Sequence, residues 1–445
     1  MGAPPGVHDV VGGTRLSYDE FLQRKQRRHH AQGPDVPLSA IHPLLHDWQA
    51  AIVRWACRQG RAAIFADCGL GKTFMQIEWA RLVADRSMII APLSVARQTV
   101  REATKLGVPV RYVRHAEDVG DAGIHITNYE MADEFDPADF DAVVLDESSI
   151  LKNYAGATRN ALVEQWQHVS HRLACTATPA PNDVAELTNH AEFLGVMSRN
   201  EMLSAYFVHD DDGWRLKGHA VDPMFAWMAQ WAVAVRKPSD LGYSDAGYDL
   251  PPLTIRSEVV EVEHSPEGQL FATDLGGIGG RHVVRRSTLA ARVRRAAELA
   301  NGTSDQWIIW CGLNDEASSV AAVVDGAVNV EGSWSADDKA EALEAFQDGA
   351  VRVLVTKPSI AGFGMNFQNA HRMIFVGLND SYEAYYQAIR RCWRFGQSDP
   401  VDAHVVVSAL EQQIVENVRR KEAEGAVTTD RLVRHMGHLH PVGVS

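Results

Sequence analysis

The chain has 445 residues, too many for one compact core and enough for two or three domains. Hydrophobic residues make up 46% and charged residues 22%, and no apolar run approaches the roughly 20 residues that span a bilayer. The formal charge of −14 argues against a passive nucleic-acid binder held by bulk positive charge, and leaves room only for a local basic track.

The N-terminus, Met1-Gly-Ala-Pro-Pro-Gly, lacks the charged-then-apolar layout of a signal peptide, so a cytoplasmic location is expected. Five scattered cysteines without a C-x-x-C pair fit a reducing compartment better than a disulfide or zinc framework. Residues 1–40 read as a Gly/Pro-rich tail followed by a basic helix. Ser17 and Glu20 form a capping-box spacing, and Arg24, Lys25, Arg27 and Arg28 follow.

From residue 41 short apolar runs alternate with helical stretches. Runs at 62–66, 88–91, 142–146 and 173–176 read as buried parallel strands, with helices over 74–84 and 95–105. The alternation returns with runs at 307–311, 351–356, 373–376 and 401–408. Two such blocks predict an α/β chain of two tandem doubly wound parallel-sheet lobes, at 41–182 and 256–424. Between them, 183–255 reads as a helical insertion carrying Trp227, Met228, Trp231 and Val233, with a β-hairpin over 207–217. Residues 425–445, with His435, His438 and His440, are expected to be a polar tail.

The chemistry enters with Ala66-Asp-Cys-Gly-Leu-Gly-Lys-Thr73, which follows a strand and opens a helix, the setting of a phosphate-binding loop. Gly69 and Gly71 let backbone amides approach phosphates, Lys72 neutralises the β- and γ-phosphates, and Thr73 holds Mg2+. Ala66 stands where the strict pattern has Gly. The run 142–146 ends in Asp146-Glu147, placing two carboxylates at the carboxyl edge of the sheet, where ligands of open α/β sheets bind. Asp146 is expected to serve Mg2+ and Glu147 to polarise the attacking water, with ATP as the substrate.

With these motifs in place, residues 45–421 resemble the superfamily 2 helicases, and within them the Swi/Snf-type translocases of double-stranded DNA. The resemblance rests on His46-Asp-Trp-Gln49, Ala91-Pro-Leu-Ser-Val95, Ile126-Thr-Asn-Tyr-Glu130 and Thr176-Ala-Thr-Pro-Ala-Pro-Asn182. In the second block it rests on Val330-Glu-Gly332, Ala361-Gly-Phe-Gly-Met-Asn-Phe-Gln368 and Gln387-Ala-Ile-Arg-Arg-Cys-Trp-Arg-Phe-Gly-Gln397. It implies two RecA-like lobes closing on one ATP, with Gln49 reading adenine and Gly364 and Gln387 on the nucleotide side. It also implies DNA contacts from Ser94, Thr127, Asn128, Gly332 and Lys357. Arg391 and Arg394, three apart on a helix, reach the triphosphate from the opposite lobe, while Arg390 faces solvent.

Two departures stand out. Ser149 occupies the place of the His that usually ends the Asp-Glu motif, and motif five begins Thr356-Lys-Pro-Ser. Both suggest a divergent phage or bacterial branch. A strand-separating DNA or RNA helicase and an ATP-switched nucleic-acid-binding protein remain the alternatives to a duplex DNA translocase.

Overall fold

The computed structural model describes residues 29–153, 156–211, 213–261, 287–361, 366–378 and 381–436. The first sheet contains β1 (Arg61–Ala66), β2 (Arg86–Ala91), β3 (Val110–Tyr112), β4 (Gly123–Asn128), β5 (Ala142–Asp146) and β6 (His171–Cys175). A separate antiparallel hairpin, β7 (Phe207–Asp210) and β8 (Gly213–Leu216), precedes the last strand of that sheet, β9 (Ala232–Val235). All pairings in the sheet are parallel, in the order β3-β4-β2-β5-β6-β1-β9.

The second sheet is also parallel, in the order β10-β15-β14-β11-β13-β12. Its strands are β10 (Leu253–Val260), β11 (Trp307–Cys311), β12 (Ala327–Asn329), β13 (Val353–Thr356), β14 (Arg372–Val376) and β15 (Val401–Ser408). Alternation along these strands sorts two cores onto opposite faces. Ile308, Trp310, Leu354, Met373 and Phe375 join one, and Trp307, Ile309, Val353, Val355 and Ile374 join the other. Burial on both faces explains why the strands read as unbroken apolar runs.

Helix α1 (Asp47–Gln59) buries Trp48, Ile52, Val53, Trp55 and Ala56 against the first sheet. The helices α2 (Lys72–Val83) and α3 (Leu93–Lys105) follow β1 and β2, so the first residues of each face the carboxyl edge of the sheet. The helices α4 (Ala157–Trp166), α5 (Leu187–Leu194), α6 (Arg199–Tyr206) and α7 (Val221–Met228) complete this half. In the second half come α8 (Leu289–Asn301), α9 (Asn314–Ala321), α10 (Ala336–Gln347), α11 (Pro358–Ala361) and α12 (Tyr382–Cys392), and the chain ends on α13 (Gln412–His435). Arg292 on α8 is fully buried and pairs at 2.8 Å with Glu316 on α9. Glu316 in turn accepts the N–H groups of Gly312 and Leu313, so the pair also ties down the turn after β11.

Two expectations need correction. Val233 lies in β9, not in a helix. A run of four fully buried apolar residues fits either element, and pairing with β1 decides it, so the stretch 183–255 supplies a strand to the first sheet. Nor does a tail begin at 425. Helix α13 runs through Gly425 to His435, with the hydroxyls of Thr428 and Thr429 folded back onto the carbonyls of Glu424 and Gly425, and burial of Leu432 beyond them favours its continuation. It starts in the core of the second lobe with Ile414, Val415 and Val418 and ends in that of the first with Leu432 and Met436. The predicted helix beginning at Ser17, together with His438 and His440, lies outside the described residues. Among the described residues no helix is long and apolar enough to cross a membrane.

Candidate active site between the lobes

Strand β1 delivers the phosphate loop. Ala66 is its last residue and fully buried, and so needs no glycine. Gly69 and Gly71 have φ of 86° and 75°, the left-handed region that side chains avoid. Space demands glycine as well: a Cβ at Gly69 would stand 3.2 Å from Phe395 of the second lobe, and one at Gly71 2.4 Å from the Gln49 amide. Lys72 opens α2 and donates to the carbonyls of Ala66 (2.7 Å) and Asp67 (3.3 Å), which holds its ammonium over the loop. Gln49, expected to read adenine, is hydrogen-bonded at both ends of its amide in this structure. Its Oε1 accepts the His46 N–H and its Nε2 donates to the Leu70 carbonyl, both at 2.9 Å, so it braces the loop.

Strand β5 delivers the carboxylates. Asp146 is buried, accepting from Gln76 Nε2 at 2.7 Å through one oxygen and from the Glu147 N–H at 3.0 Å through the other. Burial raises its pKa, against the opposing pull of the Gln76 hydrogen bond and of Lys72. Glu147 adopts the left-handed conformation, with φ 56° and ψ 54°. Burial lifts its carboxyl to about 7, with Lys72 and Arg391 pulling the other way and Asp146 adding to the rise. Thr176, just after β6, donates to Glu147 at 3.4 Å. Asp146 and Thr73 offer the hard oxygens that Mg2+ prefers, and Lys72 acts on both carboxylates, so the donor set fits that cation.

Helix α12 faces this site from the second lobe. The Arg391 guanidinium is held by its own helix, donating from Nε to the Gln387 carbonyl (3.1 Å) and from Nη2 to Gln387 Oε1 (2.7 Å). Gln387 Oε1 also receives the Cys68 thiol of the phosphate loop. Helix α12 ends at Cys392, so Arg394 lies in the following turn, not on the helix as expected. It still stands over the loop, because its Cβ lies 3.8 Å from where a Cβ on Gly69 would be. Burial and then the charge of Arg391 lower its pKa to about 10.

Arg390 requires the larger correction. Only 1% exposed, it pairs with Asp67 of the phosphate loop at 2.6 Å and donates to the Cys68 carbonyl at 3.2 Å. Spacing placed it away from Arg391, but the face it turned to was the other lobe and not solvent. About two turns earlier, Glu383 receives Ser149 Oγ and Lys152 Nζ. The residue that replaces the missing His therefore contacts the second lobe directly.

The SNF2-related domain matches residues 40–204, and the helicase conserved C-terminal domain matches residues 293–396. The chain is a Swi/Snf-like ATPase of superfamily 2. The TATA-binding protein-associated factor MOT1 of Saccharomyces cerevisiae is 26% identical over 241 residues, covering 46% of this chain and 13% of that protein. This chain thus spans a small fraction of that relative's length. A Sulfolobus solfataricus SWI2/SNF2 ATPase core solved in complex with dsDNA is similar at 19% identity and a TM-score of 0.43, covering 92% of this chain and all of that one.

In this Swi/Snf-like ATPase a cleft of about 690 Å3 runs between the lobes on the Glu147 side. Arg97 and Arg101 line it from one face of α3, and Gly332 and Lys339 line it from the second lobe. Of the expected nucleic-acid contacts, Gly332 lines this cleft. Thr127 is fully buried within β4, and Asn128 is engaged by Tyr112 and Glu130. Lys357 donates to Asn314 at 2.6 Å. Ser94 lies in the first turn of α3, and Gly364 is outside the described residues. Arg97 and Arg101 were missed, although their i, i+4 spacing after Ala91-Pro-Leu-Ser marks one helix face.

Proposed function

We propose that this chain hydrolyses ATP between its lobes and uses the cycle to track along duplex DNA. The observation that carries the reading is that α12 of the second lobe docks on the phosphate loop itself, through Gln387 on Cys68 and Arg390 on Asp67, beside Lys72 and Glu147. Nucleotide bound to the phosphate loop would meet Arg391 and Arg394 only when α12 is docked, which makes lobe closure part of the catalytic step. Lys72 binds the β- and γ-phosphates, and Glu147, with a pKa near the working pH, takes the proton of the attacking water. Arg391 and Arg394 stabilise charge on the transferring phosphoryl group. Asp146 and Thr73 would hold Mg2+, which when bound would offset the phosphate charge. Gln49 serves this site by fixing Leu70 of the loop.

The cleft supports the nucleic-acid half of the reading, since Arg97, Arg101 and Lys339 suit phosphates. ATP turnover measured with duplex DNA, single-stranded DNA and RNA tests it, beside displacement of a third strand from a triplex. The reading requires duplex DNA to stimulate most and the third strand to be displaced. The hairpin β7–β8 favours one second reading, a strand-separating helicase, and release of one strand from a forked duplex would move the assignment there.

A further inference from the structure

The docked face of α12 does more than present the arginines. Asp67 sits inside the phosphate loop, and both its carboxylate oxygens are engaged. Oδ1 accepts the Cys68 N–H from its own loop and the Tyr386 hydroxyl from α12, and Oδ2 pairs with Arg390 at 2.6 Å. Two of those three partners belong to the second lobe. The Arg390 guanidinium is caged by the rings of Trp393 (4.8 Å), Tyr386 (5.8 Å) and Phe395 (5.9 Å), which bury it without bringing a second anion. Asp67 is therefore the one carboxylate paired with this cation among the described residues.

A carboxylate in a loop that receives a triphosphate opposes binding unless its charge is cancelled, because like charges at short range and partial burial repel strongly. With the lobes docked, Arg390 cancels it. With α12 withdrawn, the Asp67 carboxylate keeps the Cys68 N–H of its own loop and loses its paired cation, leaving its charge in the loop that receives the phosphates. We propose that Arg390 and Asp67 form an inter-lobe latch, in which docking of α12 neutralises a phosphate-loop carboxylate and so makes triphosphate binding and lobe closure favour each other. The latch rests on the reading of the loop as a nucleotide site. Arg390 is a positioning residue here, acting on the nucleotide through Asp67. Linkage makes the coupling reciprocal: whatever factor closure adds to triphosphate affinity, bound triphosphate adds to closure.

The test is binding of the non-hydrolysable analogue adenylyl imidodiphosphate with Mg2+ by calorimetry, on the full chain. Arg390→Gln should weaken binding by about 5- to 150-fold, the usual span of such couplings. Asp67→Asn added to Arg390→Gln should return most of that loss, because the repelling charge has gone, whereas a merely structural Arg390 would leave the double variant weaker still. Arg390→Met fills the aromatic cage without a polar group and replaces the glutamine variant if that one fails to fold; Asp67→Asn should rescue it equally. Arg390 variants that bind like the wild type, or double variants no tighter than the single ones, overturn the latch. A wild-type chain that binds no analogue sinks the nucleotide-site reading and the latch together. Tight wild-type binding without rescue sinks the latch alone.

Discussion

Glu147 combines two features that belong to working sites: a left-handed backbone in a residue other than glycine, and a carboxyl lifted to about 7 by burial. The base must be ionised to accept a proton, so kcat/KM for ATP should be flat at high pH and fall about tenfold per unit below pH 7. An acid limb that breaks near the ordinary glutamate value instead would remove Glu147 from that role. Glu147→Gln should retain analogue binding and lose turnover, whereas Lys72→Ala should lose the binding itself; calorimetry beside a phosphate-release assay separates the two. Arg391→Lys keeps the charge but not the planar fork, and since arginine fingers contribute about 10³ to 10⁵ in rate, turnover should fall steeply at saturating ATP. Near-normal turnover would reassign that residue. The phosphate loop, the carboxylate pair and Arg391 were legible because each is a local pattern. Arg390 was not, for a helical register gives the direction of a side chain and not what lies there, and its partner Asp67 is 323 residues earlier.

At the scale of elements, the long apolar strands were readable because burial on both faces removes alternation and leaves a continuous signal. The strands β3, β9 and β12 are three or four residues long, and such short runs gain strand character only from a neighbour already in place. Helix α13 continues past Gly425, where a tail is expected, and the contacts that favour this, Leu432 and Met436 in the first core, are not local in sequence. Its last turns carry Leu432 and Met436 into the core of the first lobe, where Met436 Sδ accepts the Ala234 N–H. Ending the chain at residue 424 should therefore destabilise the first lobe, since each buried side chain of this kind contributes about 1.5 to 3 kcal/mol. Thermal unfolding followed by tryptophan fluorescence reads this, and an unshifted midpoint would contradict the docking of α13. Arg292→Ala should cost about 3 to 5 kcal/mol in the second lobe by taking the guanidinium from the buried Glu316 carboxylate, measurable by urea titration.

For the whole molecule, a net charge of −14 would confine nucleic-acid binding to a local track, and on the proposed reading Arg97 and Arg101, which line the cleft between the lobes beside four glutamates, belong to it. Replacing both Arg97 and Arg101 by Ala should weaken duplex binding and flatten its logarithmic salt dependence by about 2, one phosphate contact per cation. A salt slope unchanged by that double replacement would move the track elsewhere. The cleft lies beside Glu147 and opens between the same lobes that α12 joins, so nucleic acid bound there would act on the same closure as nucleotide. That shared closure is the central claim, and steady-state ATP turnover titrated in turn with duplex DNA, single-stranded DNA and RNA tests it most directly. Turnover should rise most with duplex DNA; stimulation by RNA equal to or above that of duplex DNA, or no stimulation by any of the three, would contradict the account.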